Sequence, residues 1–302
     1  YFDGREYTDS LTYLTVTQEA QKSRLFSFDN KRWRDFLVKI RKVQDQLKDI
    51  GVRAEFLTKE AACEYIDRYF AMDFTHKTLS MNNFKVDEEC VRMGDQKCKI
   101  FSLVDVDSIN LPGLVRPFAN IEVNNTRMPV DLMAAIDQIP EARTVIYNQM
   151  IFIPNQKREL ALLEKKKNRH ASIPNPGNQM AVEDIKQVQE VMAREGKQLV
   201  YTHYNLVVCC NNDTDLQKPT NHLENTFGRM GIHISKRAYN QLELFVNSFP
   251  GNCYGMSAEY DRFLTLGDAA TCLMYKEKIQ HSEETPLKIY YTDRQGVPVA
   301  ID

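Results

Sequence analysis

The stretch KQLVYTHYNLVVCCN, residues 197–211, reads as a long β-strand. Its valines, tyrosines and unbroken apolar run are the residues a strand uses. His203 falls inside it and reads as a satisfied structural histidine, as does His233 further on. Upstream, RTVIYNQMIFI (143–153) is a second strong strand. Helical patterns at 155–169 and about 180–195 lie between the two, broken by SIPNPGN (172–178). Downstream, DTDLQKPTNHLENTFGRMG (213–231) reads as a helix that Pro219 either kinks or starts. GIHIS (231–235) is a short strand, and KRAYNQLELFVNSF (236–249) is a helix ended by Pro250.

Nearer the N-terminus, TDSLTYLTVT (8–17) alternates as a strand does. SFDNKRWRDFLVKIRKVQDQLKDIG (27–51) is a long amphipathic helix, with Asp29 or Asn30 as its cap and Gly51 beyond its end. Trp33, Phe36, Leu37, Ile40, Val43, Leu47 and Ile50 follow its three-to-four spacing and share one face. VRAEFL (52–57) reads as a short strand, and TKEAACEYIDRYFAM (58–72) as a helix capped by Thr58. Residues 80–125 read as a β-hairpin-rich insertion containing the strand CKIFSLVDV (98–106). A short helix is expected at Pro129 to Gln138, with Pro129 in its first turn.

Residues 50–72 and 230–252 match each other once about three residues are deleted from the second. Each has a glycine, a short apolar run, a hydroxyl residue (Thr58, Ser235), a lysine and a helix with tyrosine anchors. The expectation is an α/β (α+β) protein of two related strand–helix–strand–helix halves, 1–135 and 136–302, the first carrying the insertion.

The composition narrows the function. The chain has 302 residues, 43% of them hydrophobic and 26% charged, so it is long enough for one large or two ordinary cores. A net charge of −2 gives no global field for nucleic acid. No apolar run is long enough to span a bilayer. The chain opens on Tyr1 without a signal-peptide pattern and is expected to be a piece of a longer protein. Seven cysteines without C-x-x-C spacing read as reduced, buried thiols. A Walker phosphate loop, a G-x-G-x-x-G turn, a G-x-S-x-G elbow and zinc-ligand histidine spacing are all missing from the sequence. No nucleophile has a recognisable base partner, so catalytic, cofactor and metal residues are assigned to none. The dense basic run in KREL…EKKKNRH (157–170) offers Lys165, Lys166, Lys167 and Arg169 as a surface contact for anionic groups, or simply as a solvated face.

Phe249-Pro250-Gly251-Asn252 follows an amphipathic helix, and Arg262 and then LTLGDAA (264–270) follow it in turn. This order resembles the region just before the motor in the VirB/TrbE/CagE class of type IV secretion ATPases. The tail PLKIYYTDRQGVPVAID (286–302), with TYLTVT, RMGDQKCKIFSL and NQMIFI in the same order, resembles the TraG type of Bacteroides conjugative transposons. The resemblance spans essentially the whole chain. It implies a non-catalytic N-terminal assembly module for conjugation, with a P-loop motor expected beyond Asp302. ATP and magnesium would belong to that motor. Partners would be other secretion components, the protein's own motor and further copies of itself. The implied place is the cytoplasmic face of the inner membrane, with peripheral contact to it and no direct nucleic acid. Phe249, Pro250, Gly251 and Asn252 would form the turn that redirects the chain towards the motor. Two other readings stand beside this one: an α/β enzyme or small-ligand domain with a pocket between the halves, and a nucleic-acid-binding module.

Overall fold

The computed structural model describes residues 12–18, 30–50, 52, 54–74, 84–87, 89–102, 118–123, 126–131, 133, 136, 139–173, 175–229, 232–235, 240–274, 289–292 and 298–301. The architecture is mixed α/β, with seven helices and a six-stranded antiparallel sheet among these residues.

The sheet is organised around β7 (Leu199–Asn211), whose residues are buried almost without exception. At about 3.3 Å per residue this strand runs for roughly 43 Å. Along one edge, β6 (Thr144–Phe152) pairs with it from Tyr201 to Cys209. Along the other, β3 (Gln96–Ser102) takes Asn205–Asn211, and β8 (Phe263–Leu266) takes Leu199–Thr202. Beyond β3 lie β2 (Val91–Met93) and β1 (Phe84–Val86). Strands from both sides of residue 135 therefore share one sheet.

Strand period sorts the side chains of β7 onto two faces. Tyr204, Leu206, Val208 and Cys210 pack with Leu223 and Phe227 of α5 (Gln217–Arg229). Val207 and Cys209 pack on the other face with Tyr69 of α2 (Lys59–Ala71) and with Leu244 and Phe245 of α6 (Gln241–Asn247). Leu206, Val207 and Val208 have no exposed area. Burying each of these side chains stabilises the fold by on the order of 1.5–3 kcal/mol.

Two glutamines extend the ladders where a neighbouring strand runs out. β2 pairs with β3 only as far as Cys98. At Ile100 the Gln241 amide takes over: it accepts from Ile100 N–H at 2.8 Å and donates to Ile100 C=O at 3.0 Å. Likewise β6 stops opposite Tyr201, and Gln156 accepts from Leu199 N–H at 2.8 Å and donates to Leu199 C=O at 2.9 Å. Each glutamine opens a helix, Gln241 in α6 and Gln156 in α3 (Gln156–Ala171). Helix α3 and the following α4 (Pro176–Glu195) form an antiparallel hairpin between β6 and β7 and pack mainly on each other.

The matched segments 50–72 and 230–252 place α2 and α6 side by side on one sheet face. Tyr69 stacks on Phe245 with centroids 5.1 Å apart, and its hydroxyl donates to Phe245 C=O at 2.8 Å. Thr58 caps α2 as expected, accepting from Ala61 N–H at 3.2 Å. The long helix expected at 27–51 is α1 (Asn30–Asp49), while Asp29 and Gly51 lie outside the described residues. Pro219 sits in the first turn of α5, where its missing N–H costs nothing. The tail forms the expected strand pair, β9 (Ile289–Thr292) with β10 (Pro298–Ile301).

Several expectations are corrected. Residues 12–17 and the described part of 52–57 form no strand, for none of them enters a ladder. Pro129, expected to start a helix, lies instead in β5 (Thr126–Asp131), which pairs with β4 (Phe118–Val123) and sets Pro129 opposite Asn120; of the rest of that span, to Gln138, only Met133 and Ile136 are described. A two-stranded ribbon has open edges, so proline's missing donor is tolerated there. Among its described residues GIHIS gives isolated bridge positions at Ile232 and Ser235, the latter paired with Ser102, in place of a strand. The strand expected at 98–106 is described from Gln96 to Ser102, and α6 is described from Gln241, later than the expected 236.

Candidate functional site

Phe249-Pro250-Gly251-Asn252 closes as a β-turn. Asn252 N–H donates to Phe249 C=O at 2.9 Å, and Gly251 holds φ at +89°. Proline at the second position and a positive φ at the third define a type II turn. The Asn252 side chain folds back, donating to Val246 C=O at 3.0 Å and to Asn247 Oδ1 at 3.3 Å. It thereby adds a second donor to the Val246 carbonyl at the end of α6, which also accepts from Phe249 N–H at 3.3 Å. The Phe249 ring is held by α2, with centroids 5.1 Å from Tyr69 and 5.7 Å from Phe70. Tyr65 stands at 6.1 Å from it, and Tyr13 packs on Tyr65 at 4.5 Å. The turn is thus an aromatic joint between the two matched helices.

Beyond the turn the chain makes a 3-10 turn at Cys253–Gly255 and returns through Arg262 into β8. The redirection therefore leads first back to β7 and then into the short helix α7 (Gly267–Ala270). The Arg262 guanidinium lies 3.8 Å from the Phe152 ring centroid and donates to Tyr254 C=O at 3.3 Å. Burial draws its pKa below the ordinary arginine value.

Behind the turn lies a buried polar chain. Asn205 donates to His203 Nε2 and to Ser248 Oγ, each at 2.8 Å, and accepts from Asn148 at 2.9 Å. His203 Nδ1 lies 2.7 Å from Asp261 C=O, which can only accept. The proton is therefore assigned to Nδ1, leaving Nε2 to accept from Asn205. His203 has its ring nitrogens satisfied, as the sequence reading expects, whereas His233 is exposed outside the strands. Beside α6 a shallow depression of about 600 Å³, lined by Asn240, Glu243, Ser257, Tyr260 and Asp261, opens to solvent.

The basic run lies on α3. Lys165, Lys166 and Arg169 are exposed. Lys167 turns towards α4: its ammonium lies 2.6 Å from Glu164 Oε2 and donates to Gln189 at 3.3 Å. The three-residue spacing of Glu164 and Lys167 was the available signal for that pairing. The FPGN turn and the basic run are separate, the one on the α2–α6 face and the other on the helical hairpin. Sequence reasoning missed the aromatic joint, the Asn148–Asn205–His203 chain and the two ladder-extending glutamines. Asparagine and histidine two residues apart in an apolar strand were the only hint of the polar chain.

No curated protein matches the chain. The sequence profile of the family described as "TraC protein" matches residues 38–253, from within α1 to the residue after Asn252. That span takes in the central sheet strands β3, β6 and β7, the α2–α6 aromatic joint and the whole FPGN turn. The chain belongs to the TraC family of conjugative type IV secretion proteins.

Proposed function

We propose that the chain is a non-catalytic assembly and docking module of a conjugative type IV secretion ATPase. It positions a motor at the cytoplasmic face of the inner membrane during DNA transfer. The family match over 38–253 carries this reading. The missing Walker-type phosphate loop supports it, because the motor of the ATPases it resembles carries that loop and these residues do not. The order of FPGN, Arg262 and LTLGDAA supports the finer likeness to TraG-type ATPases. In this reading ATP and magnesium bind the motor domain. The partners are that domain, other secretion components and further copies of the same protein. Exposed Lys165, Lys166 and Arg169 form a peripheral contact.

The purified chain is expected to show no ATP turnover above background. Reversing Lys165, Lys166 and Arg169 to glutamate in the full-length protein should lower DNA transfer at least tenfold and leave its ATP hydrolysis unchanged. ATP turnover by the isolated chain that survives removal of contaminating ATPases overturns the module reading. Undiminished transfer by the triple variant removes the basic run from it.

A further inference from the structure

Helix α1 carries an apolar stripe that the described fold leaves open. Trp33, Phe36, Ile40, Val43 and Leu47 recur at alternating steps of three and four residues and share one face. No described side chain of α1 is buried: Trp33 is 61% exposed, and Phe36, Ile40, Val43 and Leu47 are partly exposed. Beyond the helix end Ile50 and Phe56 are exposed as well, 74% and 60%. Exposed apolar residues gathered in this way mark a site of contact.

The charges on α1 are ordered as well. At about 100° per residue, Arg34, Arg41 and Lys48 fall one above another along one border of the stripe, and Lys39 falls on the other border. Asp35, Asp45 and Asp49 point away from the stripe, as do Lys31 and Lys42, and Asp35 and Asp45 stand one turn from Lys39 and Arg41. The helix holds seven basic residues against three acidic ones, in a chain whose net charge is −2. Basic borders, an apolar stripe carrying Trp33 and Phe36, and an excess of basic over acidic residues are the features of a helix that lies in a membrane interface. The long basic side chains can reach up to phosphates while their stems cover acyl chain.

We propose that α1 lies in the headgroup layer of an anionic bilayer, with Trp33, Phe36, Ile40, Val43 and Leu47 turned into the lipid. Charge favours lipid over a second copy of this chain, because apposing two such stripes brings basic borders together. Among the described residues no helix is long and apolar enough to cross a membrane, so the contact is with the surface. This surface is distinct from the basic run on α3, and the proposal goes beyond the docking-module reading. It is tested on the isolated chain, whatever the outcome with the motor.

Trp33 is the only tryptophan, so its fluorescence reports on α1 alone. The whole chain is titrated with large vesicles of phosphatidylcholine, with and without phosphatidylglycerol. The expected result is a blue shift with the anionic vesicles only, reversed by salt. Arg34→Glu with Arg41→Glu should weaken partitioning by about tenfold or more. Ile40→Ser should weaken it too, with far-ultraviolet circular dichroism unchanged in both variants, since these side chains are not buried. Lys165→Glu with Lys166→Glu should leave the shift intact. The absence of a shift, or an equal shift with neutral vesicles, overturns the proposal. So does a shift that appears without vesicles as the chain dimerises, which assigns the stripe to a second copy. Loss of binding through the α3 variant alone also overturns it.

Discussion

At Gly251 the φ of +89° lies where a side chain is strained, yet among the described residues a Cβ there would meet only Thr15 Cγ2, at 3.8 Å. The strain of a substitution is therefore in the backbone alone. Gly251→Val should lower stability by about 1–3 kcal/mol, and Gly251→Asn by less, because asparagine tolerates positive φ better. Gly255 is different: an added Cβ would lie 2.0 Å from Asn247 Oδ1. Asn247 is buried and accepts from Asn252, so Gly255→Ala must displace it and should cost more than Gly251→Asn. Urea midpoints of the three variants give the order, and a Gly255→Ala midpoint equal to wild type would refute the packing argument. The joint around this turn also titrates. Burial, and then the neighbouring Tyr13, push the Tyr65 hydroxyl from 10.0 up to about 12. The folded state holds this proton more tightly than the unfolded one. The stabilisation is full below about pH 10 and is lost as pH rises towards 12. Tyr65→Phe should flatten part of the alkaline decline in unfolding free energy. The remainder belongs to groups such as Tyr69, whose pKa burial raises further. An unchanged decline in the variant would sink this assignment. Asn252 and Pro250 were legible as turn residues from the sequence, but the rings that seat Phe249 were not. They come from α2, far away in the chain, and the contact depends on how two helices land on one sheet face.

For the elements, legibility followed the strength of the local pattern. The apolar runs of β6 and β7 and the Thr58 cap of α2 read correctly, because each is decided by neighbours in sequence. Pro129 was read as a helix start because that is its commonest local use; its place in β5 depends on pairing with β4. The glutamines were illegible for the same reason: Gln241 looks like any polar residue of a helix until Ile100 is brought against it. That contact makes a prediction. Gln241 is 1% exposed and satisfies both backbone groups of buried Ile100. Gln241→Leu keeps the volume, strands a donor and an acceptor away from water, and should cost about 2–5 kcal/mol. Gln156 makes the same bonds to Leu199 but is only half-buried, so water can replace it and Gln156→Leu should cost less. Equal losses in chemical denaturation would show that burial does not set the difference.

At the scale of the whole molecule, β3 and β7 tie the two sequence halves together through seven paired residues, from Gln96–Asn211 to Ser102–Asn205. The repeat between 50–72 and 230–252 pointed to two halves, and the described sheet joins their strands around one pair of cores. We propose that they unfold together, and the thiols offer a way to see it. Cys98 of β3 faces Cys209 of β7 in register, both without exposed area. Burial raises the thiol pKa of Cys98, so the reactive thiolate is scarce as well as covered. Cys63 on α2 is exposed. With iodoacetamide in native buffer, Cys63 should be alkylated quickly, whereas Cys98 and Cys209 should wait for β3 and β7 to separate. As urea is raised, peptide mass spectrometry should find Cys98 and Cys209 becoming reactive over the same narrow range, coincident with loss of the circular dichroism signal. Cys98 reacting well before Cys209 would mean that the first half opens while the second stays folded, and that the shared sheet is a weak seam between two units.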